Sequence, residues 1–301
     1  MNETPAVALR PTSSFGMTDL GLLLTILLWG SNVTISKLAF VTMPVMVFNA
    51  FRFMIAPTLL ALVLLYREGK AAFKIAPELR RRIILIGFIG NSFYQLIFLN
   101  GVNLTTASNA ALLLATTPLL VALIGRLRGE TIRPLGWVGI LVGFVGVVLV
   151  LAARGMTLSL GTLRGDLLIM LSVVSWAIYT IGAAPLLQKM SPLRATTLPM
   201  LFGSPIVVLA GIPAALRLNW STIDSFGWGG MLYSATCSIA LAYLLWYSSV
   251  QRVGPTRTGI YSSLLPVVGI AAAAIGLHEP ILPVQLVGAA LIFLGLWLAR
   301  R

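Results

Sequence analysis

Four stretches of this chain place side chains able to hold a small molecule on one face of a helix. Thr25, Trp29, Asn32 and Ser36 follow i, i+4, i+7, i+11 spacing. Asn91, Tyr94, Gln95 and Phe98 form a second such group, Ser172, Ser175, Trp176 and Tyr179 a third, and Thr236, Ala240, Tyr243 and Tyr247 a fourth. At helical spacing each group makes one polar and aromatic stripe. Amides and hydroxyls beside aromatic rings recognise a small molecule with a polar end and an apolar body. They supply no reaction chemistry. The only histidine is His278, and the acidic residues fall at the edges of the apolar stretches or in loops. Neither a nucleophile with its base nor a metal cage can therefore be assembled. Cys237, the only cysteine, lies in an apolar stretch and reads as packing, and the chain can form no internal disulfide.

The stripes are not equal in weight. Thr25, Ser172 and Thr236 suit helix-to-helix hydrogen bonding as well as they suit a cavity wall. Asn32, Asn91 and Gln95 carry more donors and acceptors than one neighbour satisfies, which favours a lining role. Trp29 and Trp176 fall near the middle of their apolar segments, whereas Trp220, Trp228 and Trp297 sit where an interfacial belt is expected. The expected binding residues are Trp29, Asn32, Asn91, Tyr94, Gln95, Trp176, Tyr179 and Tyr243.

The elements that position them are membrane spans. Hydrophobic residues make up 58% of the chain and charged residues 10%, and the mean hydropathy is +0.97. A soluble domain carries about 25% charged residues. Apolar segments of spanning length fall near residues 18–37, 45–65, 83–101, 107–126, 134–152, 166–187, 195–215, 228–248, 257–277 and 283–299. The first is too long and too polar-tipped for a cleaved signal and is expected to be retained. The predicted fold is an all-α integral membrane protein of ten transmembrane helices.

The chain also reads twice. Trp29, Pro44, Pro118, Glu130, Gly139 and Gly146 recur as Trp176, Pro192, Pro266, Glu279, Gly288 and Gly295, at an offset of 147 to 149 residues. Five spans per copy is an odd number, so the second copy is inverted relative to the first. The first and sixth spans correspond, as do the third and eighth, and the four stripes are expected to converge on one central cavity. Pro118 and Pro266, near the midpoints of the fourth and ninth spans, are candidate gating kinks. Gly139, Gly143 and Gly146, and Gly288, Ala289 and Gly295, suit close packing of the fifth and tenth. Glu130 and Glu279, just past helix ends, read as caps or loop anchors.

Charge sets the expected orientation. The net charge is +13, but its carriers sit in short loops rather than on one face or tail, which argues against a nucleic-acid partner. With the N-terminus inside, sixteen Lys and Arg fall on the cytoplasmic side and three, Arg154, Arg164 and Arg217, outside. Both termini are therefore predicted to be cytoplasmic. The predicted organisation is a tail over 1–17, a first repeat over 18–152, an outer linker over 153–165 and a second repeat over 166–301. Arg52 and Lys37 are the two cations within spans, where long basic side chains most often snorkel or bind carbonyls.

Several of these residues resemble the pattern of the EamA family of the drug/metabolite transporter superfamily. They are Trp29-Gly30-Ser31-Asn32, Arg52 after Pro44, Thr117-Pro118, Gly129-Glu130, and in the second copy Trp176, Pro266 and Glu279. His278 departs from it, standing where the family usually has glycine. The resemblance covers the whole chain. It implies a multi-pass bacterial inner-membrane exporter of small metabolites, amino acids foremost, with no cofactor. Other small metabolites or drugs remain alternative substrates, and a passive channel or scramblase would share the polar interior. A sugar-phosphate carrier would need more interior cations than Arg52 and Lys37. The partners expected are a small-molecule substrate and the lipid bilayer, and a monomer is compatible with the plan.

Overall fold

The computed structural model describes residues 16–117, 119–120, 123–124, 134–152 and 160–299, and the regular structure there is helical. The helices are α1 (Met17–Ala39), α2 (Val45–Glu68), α3 (Pro77–Phe88), α4 (Tyr94–Leu104), α5 (Ala107–Leu114), α6 (Pro134–Ala152), α7 (Leu160–Leu187), α8 (Pro192–Leu216), α9 (Ser225–Tyr233), α10 (Ala242–Tyr261), α11 (Leu265–Leu277) and α12 (Pro283–Ala299). Six helical runs are long and apolar enough to cross a membrane: Met17–Ala39, Val45–Glu68, Pro77–Leu104, Leu163–Leu187, Pro192–Leu216 and Ser225–Gly254. Pro134–Gly146, Leu265–Leu277 and Pro283–Gly295 are shorter apolar helices. Pro118 and Glu130 lie outside the described residues, as do 1–15 of the predicted tail and 153–159 of the predicted linker.

α7 begins at Leu160, within the stretch expected to be an outer linker over 153–165. Apolar content alone misses such ends, since a helix continues through polar residues at its first turns. The same holds for Pro77–Leu104, which starts ahead of Arg80, Arg81 and Arg82.

The polar interior and apolar exterior reverse the pattern of a soluble protein. Asn32, Asn49, Arg52, Asn91 and Gln95 are buried, while Leu27, Leu62, Leu141, Phe144, Leu209 and Trp297 are exposed. In lipid this is the favourable arrangement, because apolar side chains face apolar solvent and polar ones must find partners inside.

Packing follows the repeat. α1 packs against α10 and α11 of the second copy, and its counterpart α7 packs against α4 and α5 of the first. α2 lies on α8, α5 on α11 and α6 on α12. Exchanging the two copies leaves this list unchanged, so the halves interlock instead of forming separate bodies. α6 and α12 approach closely: a Cβ on Gly146 would stand 2.7 Å from the Gly288 carbonyl oxygen, and one on Gly295 would stand 2.5 Å from that of Gly139. Only glycine permits that approach.

His278 and Glu279 tie the end of α11 to the start of α5. His278 ends α11 in the left-handed conformation, φ 54° and ψ 30°, where glycine avoids a steric cost. The turn aims Glu279 at the start of α5. Its carboxylate accepts the Ala107 N–H at 2.9 Å, the Ser108 N–H at 3.1 Å and the Ser108 hydroxyl at 2.9 Å. A helix N-terminus has unpaired donors and a positive dipole end, and the carboxylate answers both. Glu279 is thus a cap reaching from the second copy onto the first.

Candidate substrate cavity

Two π-helical stretches shape the interior. One spans Ile89–Phe93 between α3 and α4, and the other spans Ser234–Leu241 between α9 and α10. They occupy corresponding places in the two copies. A π turn inserts a residue into the helical register and frees backbone groups from the usual ladder, and such turns recur at functional sites. The freed groups are used here, since the Trp29 Nε1–H donates to the Ser238 carbonyl at 2.9 Å.

Trp29, Trp176 and Tyr243 form an aromatic cluster at the centre of the bundle. Trp29 meets Trp176 edge to face with ring centroids 5.3 Å apart, and Trp176 lies 5.2 Å from Tyr243. Tyr94 stacks on Phe98 at 5.3 Å and tilts against Trp176 at the same separation. Such ring pairs contribute about 0.5–1.5 kcal/mol each beyond the area they bury. Gln95 links the polar groups. Its Nε2 donates to the Tyr243 hydroxyl at 2.9 Å, its Oε1 lies 3.5 Å from Arg52 Nη2, and its carbonyl accepts from Asn49 Nδ2 at 3.1 Å.

These side chains line a small, partly open cavity with Trp29, Asn32, Arg52, Tyr94, Gln95, Trp176 and Tyr243 in its wall. Its chemistry is one cation, two amides, the hydroxyls of Thr117, Ser238 and Ser262, and a set of aromatic rings. None of the described lining residues is acidic. The donor set suits recognition rather than bond making or breaking.

Six of the eight residues expected to bind line this cavity, and the other two stand behind its wall. Asn91 and Tyr179 are buried and face each other, with Asn91 Nδ2 3.4 Å from the Tyr179 hydroxyl. The reason is the π turn. Asn91 lies inside it, so four-residue spacing no longer places Asn91 on the same face as Gln95. Gly90 makes room for the Tyr179 ring, since a Cβ there would stand 2.2 Å from Tyr179 Cδ2.

Four of the stripes' Ser and Thr hydroxyls turn inward on their own helices, while the buried hydroxyl of Ser36 has no partner. Thr25 donates to the Gly21 carbonyl, Ser172 to Ile169, Ser175 to Leu171 and Thr236 to Leu232. They satisfy themselves locally and do not line the cavity. Sequence reasoning gave Arg52 too little weight and missed Trp246, which is buried with its ring 5.0 Å from Trp29. The signal for Arg52 was its place a third of the way into an apolar span, too deep to reach water easily.

Pro266 lies where it is expected, near the middle of the helical run that follows the break at Gly254 and ends at Leu277. A tight 3-10 turn over Ser262–Leu264 precedes it, and the backbone stays right-handed helical through Tyr261, Leu264 and Leu265, so the helix tightens there without breaking. Ser262 and Leu265, in and beside that turn, line the cavity. The other candidate kink, Pro118, lies outside the described residues.

A family model described as the EamA-like transporter family matches the chain twice, over residues 16–152 and 163–301. The chain belongs to this family, and the two matches coincide with the two copies seen in its packing. It is therefore a membrane transporter of small molecules and not an enzyme. Among its relatives, the uncharacterized transporter YyaM of Bacillus subtilis is 29% identical over 82% of this chain and 81% of its own length. YetK of the same organism, also an uncharacterized transporter, is 29% identical over 89% and 82%. The uncharacterized inner membrane transporter YedA of Escherichia coli is 25% identical over 81% and 78%. A solved crystal structure shares the fold, with a TM-score of 0.68 and 20% identity over 95% of this chain and 97% of that one.

Proposed function

We propose that this transporter exports amino acids, aromatic or otherwise apolar, across the bacterial inner membrane by alternating access, with Trp29, Asn32, Tyr94, Gln95, Trp176 and Tyr243 holding the substrate and Asn91 and Tyr179 supporting that wall. The observation that carries the reading is the cavity between the two copies, built from aromatic rings, amides and a single cation. Rings take an apolar side chain, amides and the cation take the polar end, and one cation is too few for a phosphate dianion. The resemblance of the sequence to the bacterial amino-acid exporter YddG supports the same substrate class.

The spanning arrangement belongs to the proposal. Ten helices in two inverted five-helix repeats, with both termini cytoplasmic, agree with the charge asymmetry of the loops and with the exchange symmetry of the packing. The hinges of this proposal are Pro118 and Pro266. Corresponding hinges in inverted copies open the cavity to one side and then the other. A Ser221→Cys variant, in a Cys237→Ser background, reacts with an impermeant thiol reagent from outside the cell; a Lys70→Cys variant does not. Labelling in the opposite sense overturns the orientation.

Substrate class is tested with purified protein in liposomes preloaded with labelled phenylalanine, leucine, glutamate, a hexose or a hexose phosphate. The reading expects saturable efflux of phenylalanine and leucine, each inhibiting the other. Efflux confined to the sugars, or rates that never saturate, would defeat it.

A further inference from the structure

We infer that Arg52 is the anion-recognising residue of the cavity and that the site takes a small molecule bearing one carboxylate. Arg52 is 2% exposed, yet its Nε and Nη1 have no hydrogen-bond partner and its Nη2 reaches only the Gln95 side-chain oxygen at 3.5 Å. Its guanidinium carbon lies 5.5 Å from the centre of the Phe48 ring, and none of the residues lining the cavity is acidic. A cation held inside an apolar bundle without an anion is costly, and the cost is relieved when an anion arrives. The guanidinium presents its donors as a planar fork that matches the two oxygens of a carboxylate.

The neighbours hold the fork in place. The Gln95 oxygen holds one arm, and the Gln95 amide is itself anchored on the Tyr243 hydroxyl at 2.9 Å. Arg52 shares the cavity wall with Trp29, Trp176 and Tyr243, so a carboxylate on Arg52 leaves the rest of the molecule among aromatic rings. Across the same cavity, Asn32 is buried and its side-chain oxygen has no donor. That oxygen is suited to an ammonium, which the ring faces also attract. An orphan donor set and an orphan acceptor in one cavity are the complement of a zwitterion.

The inference rests on the reading of this cavity as the transport site, and its test separates the carboxylate from the amine. Full-length protein in nanodiscs is titrated with four probes, followed by tryptophan fluorescence and thermal shift. They are L-phenylalanine, 3-phenylpropionate without the amine, L-phenylalanine methyl ester without the carboxylate, and 2-phenylethylamine; leucine and 4-methylpentanoate repeat the first two with an aliphatic chain. Both kinds of carboxylate compound are expected to bind the natural protein about ten- to a hundredfold more tightly than the ester and the amine. Arg52→Gln abolishes that preference and Arg52→Lys retains part of it. Equal binding of acid and ester by the natural protein overturns the inference without recourse to any variant. So does binding of no carboxylate in the panel, or an Arg52→Gln protein that keeps the full preference. Acids that bind as tightly without the amine as with it support Arg52 and defeat the amino-acid reading instead.

Discussion

Trp29 and Trp176 occupy the same place in the two copies of the repeat, and their rings meet edge to face 5.3 Å apart. Gln95 and Tyr243 are also equivalent positions, and they share a hydrogen bond of 2.9 Å. Residues that touch their own counterparts lie on the axis relating the copies. The cavity therefore sits on that axis, at equal remove from both halves, the place that the proposed alternating access requires.

The Gln95–Tyr243 bond ties the two halves together at this point. Tyr243→Phe leaves the buried Gln95 amide without an acceptor and should cost about 1–2 kcal/mol of stability, whereas the Gln95→Leu, Tyr243→Phe double variant should cost less than the sum of the two singles. Thermal unfolding in detergent measures the cycle. Additive losses would show that the bond contributes nothing.

The left-handed residue at the end of α11 makes an opposite prediction. His278→Gly should raise the midpoint of thermal unfolding by about 1–3 °C, because φ 54° costs histidine energy that glycine does not lose. The exposed site keeps packing out of the comparison. An unchanged or lowered midpoint would mean that the turn is not strained.

Glu279→Ala removes three hydrogen bonds from the first turn of α5, two of them to backbone donors. A loss of about 1–2 kcal/mol is expected, as for other lost caps, and Glu279→Gln should recover part of it. Faster hydrogen exchange at Ala107 and Ser108 is the local signature. Exchange there that matches the natural protein would contradict the capping role.

Energy coupling follows from what the predicted spans contain. Proton-driven carriers relay protons through Asp, Glu or His inside the membrane, and the acidic residues of this sequence fall at predicted span edges or in loops. Substrate should therefore run down its own gradient or exchange, with no accumulation in proteoliposomes when a pH gradient is imposed. Accumulation above the external concentration, abolished by a protonophore, is the contrary result.

Periodicity made the central residues legible. Trp29, Asn32, Tyr94, Gln95, Trp176 and Tyr243 each fall on a stripe of helical spacing, and each lines the cavity. What periodicity could not carry was the phase change at a π turn. Asn91 lies inside one such turn and is turned away from the cavity, and Ser238, inside the other, offers a carbonyl that no pattern of side chains announces. Trp246 is a different case, for it stands three residues after Tyr243 on the same helix, within reach of the periodicity argument, and its ring meets Trp29 at 5.0 Å. For the hydroxyl residues the sequence left packing and lining equally open. Thr25 and Ser172 carry the right polarity for a lining, but a short side chain on a helix finds its own backbone first. Pro266 stands inside a continuing helix, and the 3-10 turn just ahead of it is a local tightening that residue type alone does not announce.

The central claim is that the cavity between the two copies is where substrate is carried. Counterflow of labelled phenylalanine into proteoliposomes, with Trp29→Ala, Gln95→Ala and Trp176→Ala compared at equal amounts of inserted protein, tests it most directly. The account predicts saturable counterflow by the natural protein and a loss of about tenfold or more in each variant, since each removes a ring or an amide from the wall of the site. Wild-type counterflow in all three would contradict it.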